Sequence, residues 1–185
     1  YQCLQDFLKD LFIKKSNYLQ LYRMKMQKKI YKYYKVRPLI LSNGIHISSL
    51  KKYIESSKKI KIKYKKYIIY SGSYSYLPNK MAIDILVNEI MPNILKFDKS
   101  YKLVLTGSDK IHYEYNWLVK LGKVNKSKYI ALLRNATCMI VPLSIGFGSR
   151  VKIIEGLILG LKLICTKKAT EGLYYKKKDI KILNN

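Results

Sequence analysis

Acidic residues are scarce in this 185-residue sequence: Asp and Glu number 11 against 37 Lys and Arg, for a formal net charge of +26. Histidine occurs only twice, as His46 and His112, each alone, and each reads as a surface or turn residue. Chemistry that needs paired carboxylates or histidines is therefore poorly supplied, which weighs against an epimerase-like sugar-nucleotide enzyme. The three cysteines, Cys3, Cys138 and Cys165, are odd in number and match no metal-ligand spacing. Cys138 and Cys165 sit in apolar runs, where a free thiol behaves as a small hydrophobe, and a reducing, cytoplasmic setting follows. No apolar run approaches the roughly 18–20 residues that span a bilayer, and no compact apolar segment precedes a cleavage site.

Residues 1 to about 34 contain no glycine and no proline. Leu4, Phe7, Leu8, Leu11 and Phe12 make a helical stripe, continued less regularly by Tyr18, Leu21, Tyr22 and Met26, so one or two helices are expected there. Pro38 then opens a short extended segment, and Asn43-Gly44 signals a turn. From Lys51 to Tyr70 lysine dominates, with Lys59, Lys61, Lys63 and Lys65 alternating with Ile60, Ile62 and Tyr64. Such interleaving suits single-stranded nucleic acid. The lysine excess is however spread over the whole chain, and it accompanies abundant Tyr, Ile and Asn, as adenine- and thymine-rich codons produce. Composition is the preferred explanation, nucleic acid is not the expected partner, and attraction to an anionic membrane surface is an expected by-product.

Beyond residue 66 apolar runs alternate with helical spacing. Strands are expected at Tyr67–Ser71, Tyr101–Thr106, Leu118–Leu121, Thr137–Val141, Leu161–Cys165 and Ile180–Leu183. A helix capped by Asn79 follows the first strand, with Ile83, Leu86, Val87 and Ile90 on one face and Pro92 ending or kinking it. A short helical segment is expected before the third strand, and Ser127 is expected to cap a helix over Lys128–Arg134. Continuous apolar strands alternating with helices mark a parallel sheet covered on both faces. Gly72, Gly107, Gly122, Gly146 and Gly172 all fall just past strand ends, the rim where such sheets bind ligands.

The densest signal is Val141-Pro-Leu-Ser-Ile-Gly-Phe-Gly-Ser-Arg-Val-Lys-Ile-Ile-Glu-Gly156. It reads as strand, glycine loop, then a helix over Arg150–Leu159 that ends at Gly160. A glycine loop feeding a helix start favours an anion, usually phosphate. Arg150 and Lys152 add cations, and Glu155 lies one turn beyond Lys152. One carboxylate beside a phosphate site suggests a ligand with hydroxyls, such as a ribose. The duller alternatives are a solvated helix face for the cations and an i,i+3 pair with Lys152 for Glu155.

In this order and spacing the pieces carry a resemblance. Ser42-Asn43-Gly44-Ile45, Tyr70 through Asn79, Leu103 through Gly107, Leu121 through Val124, Pro142 through Gly160 and Ala169 through Leu173 together resemble the C-terminal half of a GT-B glycosyltransferase of family 4, the group 1 glycosyltransferases. The likeness covers roughly residues 38 to 183. It implies a Rossmann-like parallel sheet with helices on both faces, preceded by N-terminal helices. It also implies a division into residues 1–36, the helical tail of a mostly missing N-terminal domain; 37–66, an interdomain linker; and 67–185, a nucleotide-sugar-binding domain.

The resemblance further implies transfer of a sugar, of hexosyl type and with retention, from a nucleoside-diphosphate sugar to a saccharide or lipid-linked acceptor. Cell-surface polysaccharide or glycolipid synthesis is the expected setting, in the cytoplasm at the inner face of the membrane. No metal and no cofactor are expected. Arg150 and Lys152 correspond to cations that hold the diphosphate. Glu155 corresponds to the second glutamate of the Glu-x7-Glu element, which accepts ribose hydroxyls. Gly72 and Ser73 lie in the loop near the phosphates, Val124 stands where the base packs, and Gly146, Phe147, Gly148 and Ser149 form the glycine loop. Two departures stand out: Phe147 occupies the place of the first glutamate, and His46 that of the usual Asp after the Asn-Gly-Ile turn. The acceptor-binding N-terminal domain is expected to come from elsewhere, on the same polypeptide or a partner chain. The competing function is a non-catalytic fragment or a basic nucleic-acid-binding module.

Overall fold

A computed structural model describes residues 31–35, 45–107, 111–146, 150–173, 175–176 and 178–183. Of the expected N-terminal helices only residues 31–34 are described, and these are helical. The Asn43-Gly44 turn, Cys3 and the loop residues Phe147, Gly148 and Ser149 lie outside the described residues.

The elements in chain order are α1 (Ile47–Ser57), β1 (Tyr67–Ser71), α2 (Leu77–Ile85), α3 (Met91–Phe97), β2 (Lys102–Thr106), β3 (Leu118–Lys120), α4 (Lys126–Asn135), β4 (Cys138–Val141), α5 (Val151–Ile158), β5 (Leu163–Thr166) and β6 (Ile180–Leu183). All six strands run parallel in one sheet, in the order β3-β2-β1-β4-β5-β6. This is the doubly wound arrangement that the apolar runs predict. Tyr67, Ile68, Ile69 and Tyr70 of β1 are all buried, as a central strand covered on both faces requires. Ile69 faces Val104 of β2 on one side and Met139 of β4 on the other, fixing the register of the sheet centre.

Strand bounds agree with the sequence reading to within two residues, but several helix details differ. The helix after β1 begins at Leu77, capped by Tyr76 without a side-chain bond, and Asn79 lies inside it. Pro78 falls in its first turn, where no amide is needed. Pro92 does not end this rod. A wide π-turn over Leu86–Ile90 precedes it, and the helix resumes as α3 to Phe97. Such a turn accommodates the amide that proline lacks. Asn125, not Ser127, caps α4, its side-chain oxygen accepting from Lys128 N at 2.8 Å. The Ser127 hydroxyl instead meets that of Ser56 at 2.7 Å, where α1 packs on α4. Residues 111–115, before β3, form no helix. Arg134 also reaches back to the Ser57 hydroxyl at 3.1 Å, so part of the stretch read as linker is docked on the sheet domain.

Candidate functional site

Parallel strands put every strand exit at one end, and strand order reverses between β1 and β4, opening a crevice there. The exits are stitched together. Gly72 N donates to Thr106 O at 2.9 Å, and Gly107 N to Gly122 O at 2.7 Å. At Gly72 and Gly146 there is also no room for a side chain. A Cβ on Gly72 would stand 2.6 Å from Asn79 Cγ. Gly146 has φ +106°, a conformation that side chains rarely adopt, and its missing Cβ leaves room for Pro78 and the Arg150 guanidinium.

Helix α5 starts at this crevice, and among the described residues no side chain caps its first turn. Its amides there add partial positive charge to that of two cations. Arg150 is 9% exposed. Lys152 is half-buried; its Nζ lies 4.2 Å from the centre of the Tyr70 ring and donates to Asn79 Oδ1 at 3.2 Å. The buried Tyr70 hydroxyl donates to the same oxygen at 2.8 Å. Among the described residues no carboxylate pairs with Lys152. Burial, reinforced by the Arg150 charge, lowers the Lys152 ammonium to about 7.

A turn further along α5, Glu155 is only 5% exposed and is held by the Lys126 ammonium at the start of α4. The i,i+3 pairing with Lys152 is thus not made. The Tyr129 hydroxyl lies within bonding reach of Glu155 and Ser71, and burial pushes its ionisation upward. Next to this group is a pocket of about 270 Å³ lined by Ser71, Thr106, Gly107, Lys123, Val124, Lys126 and Tyr129. The Thr106 hydroxyl is buried there, with no hydrogen-bond partner among the described residues. Val124 lines this pocket together with Lys126, the partner of Glu155. The chemical sense is a two-part site: cations suited to an anion, then a pocket lined by Val124, hydroxyls and lysines, one of which is paired with Glu155.

The family model for glycosyl transferases group 1 matches residues 65–181. The chain belongs to this family. Two solved structures illustrate the likeness. One, described as an OtsA apo structure, is 12% identical over 72% of this chain and 38% of that one, with a TM-score of 0.49. The other, described as a GtfA/B complex, is 8% identical over 89% of this chain and 33% of that one, with a TM-score of 0.47. The chain thus spans 38% of the length of the first and 33% of the second. No curated protein matches.

Within this domain Gly72 and Lys152 meet at Asn79, Gly146 lies against Pro78 and the Arg150 guanidinium, and Glu155 is paired with Lys126, which lines the pocket with Val124 and Tyr129. Ser73 is not brought in: it is exposed on the loop after β1, with its hydroxyl on Ser75 at 2.7 Å. His46 caps α1, its ring nitrogen 3.4 Å from Ser49 N, and His112 is exposed beside Tyr74. The sequence reading missed Tyr70, Asn79, Lys126 and Tyr129. Asn79 carried a signal but was read for its backbone role. Lys126 had none among 37 cationic residues.

Proposed function

We propose that this chain is the donor-binding part of a retaining glycosyltransferase that takes a nucleoside-diphosphate sugar. The observation that carries the reading is that one helix, α5, carries Lys152 at the strand exits and, one turn on, Glu155 paired with Lys126, which lines an apolar pocket. That spacing suits a diphosphate joined to a nucleoside. In this reading the base packs on Val124, the ribose hydroxyls meet Glu155, and the diphosphate lies by Arg150, Lys152 and the loop Gly146–Ser149. As the bond from the sugar C1 to the phosphate oxygen breaks, negative charge grows on the β-phosphate. Fixed cations in a poorly hydrated crevice stabilise it. No metal is required for that role.

The acceptor in this reading is a saccharide or a lipid-linked saccharide, and the pathway one of cell-surface polysaccharide or glycolipid synthesis. A second wall, holding the acceptor and excluding water, comes from an N-terminal domain in the same polypeptide or from a partner chain. Residues 1–36 are taken as the tail of that domain, 37–66 as the linker and 67–185 as the donor domain. The chain works in the cytoplasm in peripheral contact with the membrane's inner face. Among the described residues no helix is long and apolar enough to cross a membrane.

Titration calorimetry with a nucleoside, its monophosphate and its diphosphate tests the site. The diphosphate is expected to bind tightest, and Arg150→Ala to remove about 1.5–3 kcal/mol of its affinity, the worth of a charged hydrogen bond, while sparing the nucleoside. Equal losses for all three ligands, or no binding to any, would sink the reading.

A further inference from the structure

The opposite end of the sheet, where strands begin, carries a surface of a different kind. Phe97 ends α3 and is 93% exposed, the most exposed large hydrophobic side chain among the described residues. Exposed Lys96 precedes it, and exposed Lys99 lies in the turn that leads into β2. Asp98 between them is already engaged: Lys66 Nζ donates to it at 2.8 Å, as does Ser100 N at 2.9 Å. The backbone of Lys66 in turn accepts from Lys102 N at 3.1 Å. These bonds place the end of the lysine-rich segment, with exposed Lys63, Lys65 and Lys66, against the Phe97 turn. In that segment Ile60, Ile62 and Tyr64 are half-buried while Lys59, Lys61, Lys63 and Lys65 stand exposed, so the alternation read from the sequence turns the charges outward.

We infer that this strand-entry end is a docking surface for an anionic lipid bilayer, with Phe97 entering the headgroup region and Lys65, Lys96 and Lys99 meeting lipid phosphates. An exposed phenyl ring with cations around it, the adjacent Asp98 carboxylate being already paired with Lys66, has the chemistry of an interfacial anchor. It projects from a helix end and forms no groove, which suits a fluid interface. The surface lies across the sheet from the donor crevice, so docking leaves the crevice open. The inference gives a location to the membrane contact proposed above and rests on that reading.

Sedimentation of the full chain with vesicles of phosphatidylcholine, alone or with about a third phosphatidylglycerol, tests it. Binding is expected only with the anionic lipid. Phe97→Ala is expected to weaken it about tenfold, and Lys96→Gln with Lys99→Gln about 25-fold, at roughly fivefold per lysine. Lys51→Gln with Lys52→Gln, the same charge removed from exposed positions on α1, is the control and is expected to cost several-fold less. Anionic-vesicle binding that ignores Phe97, or equal losses from both lysine pairs, keeps a membrane contact but overturns this surface. No binding to anionic vesicles overturns both. If Phe97→Ala weakens binding of a single-stranded oligonucleotide and leaves vesicle binding unchanged, the surface is a nucleic-acid site and the inference fails.

Discussion

At the start of α5, Lys152 has a neutral amide oxygen and a tyrosine ring for company, with a second cation close by. One turn later, Glu155 has the Lys126 ammonium, and the tyrosine beside it supplies a hydroxyl. Among the described residues no carboxylate neutralises Lys152. The second neighbourhood is neutralised from within. In the proposed reading an arriving diphosphate would gain most of what Lys152 offers, because the cation is already partly desolvated and already in place, and an arriving ribose would have to share Glu155 with Lys126. The two halves of the site thus differ in how far the fold has spent their electrostatics before a ligand arrives.

The sharpest way to break that comparison is a pair of substitutions. Lys152→Met is expected to cost diphosphate affinity about 10- to 100-fold, as loss of a charged hydrogen bond does, while the melting temperature holds or rises because a partly desolvated cation next to Arg150 is gone. Glu155→Gln is expected to lower stability by about 1–2 kcal/mol, less than a fully buried pair because Lys126 reaches solvent. It also makes ribose and deoxyribose nucleotides equivalent. Thermal melts and calorimetry on both variants check this. If the two variants shift stability in the same direction, the distinction between waiting and satisfied charge is wrong.

This division was only partly legible in the sequence. Strand positions were readable because central parallel strands such as Tyr67–Ser71 are apolar without interruption, and little else is. The α5 segment was readable because Gly146, Arg150, Lys152 and Glu155 are adjacent in the chain. Lys126 was not, because its pairing with Glu155 joins α4 to α5 across 29 positions and one lysine in this chain looks like another. Asn79 was visible as a polar residue near a helix start, yet its use as a bridge between Tyr70 and Lys152 depends on the strand-to-helix crossing. The helix starts were misplaced for a related reason. Asn125 and Ser127 are both good caps, and only the docking of α1 against Ser127 separates them.

A smaller effect sharpens the same comparison through pH. Lys152 is lowered from the ordinary 10.5 to about 7, chiefly by burial and then by Arg150. Between those values the unfolded chain binds the proton and the folded chain does not. The cost of keeping the ammonium charged is therefore complete below about 7 and fades as pH rises toward 10.5. A diphosphate reverses the preference, because it favours the charged form. Binding is expected to take up a proton above pH 7, and affinity to fall by up to about tenfold from pH 7 to pH 9. Calorimetry in two buffers of different protonation enthalpy reads the proton directly. Lys152→Met should remove the dependence, and a buffer-independent heat in the unaltered chain would place the titrating group elsewhere.

The smallest expected effect separates the two things that hold Lys152. Tyr70 contributes a ring under the ammonium and a hydroxyl to Asn79, which the ammonium also uses. Tyr70→Phe deletes the hydroxyl and keeps the ring. Its expected cost is about 0.5–1.5 kcal/mol of stability, one neutral hydrogen bond. Diphosphate affinity is expected to stay within about threefold, since the Lys152 bond to Asn79 and the cation–π contact both survive. Tyr70→Leu removes the ring as well and should lower affinity further. A large loss of affinity in Tyr70→Phe would mean that the orientation of Asn79, rather than the ring, sets the position of the cation. The crevice would then share the built-in polar network that so far distinguishes the neighbourhood of Glu155.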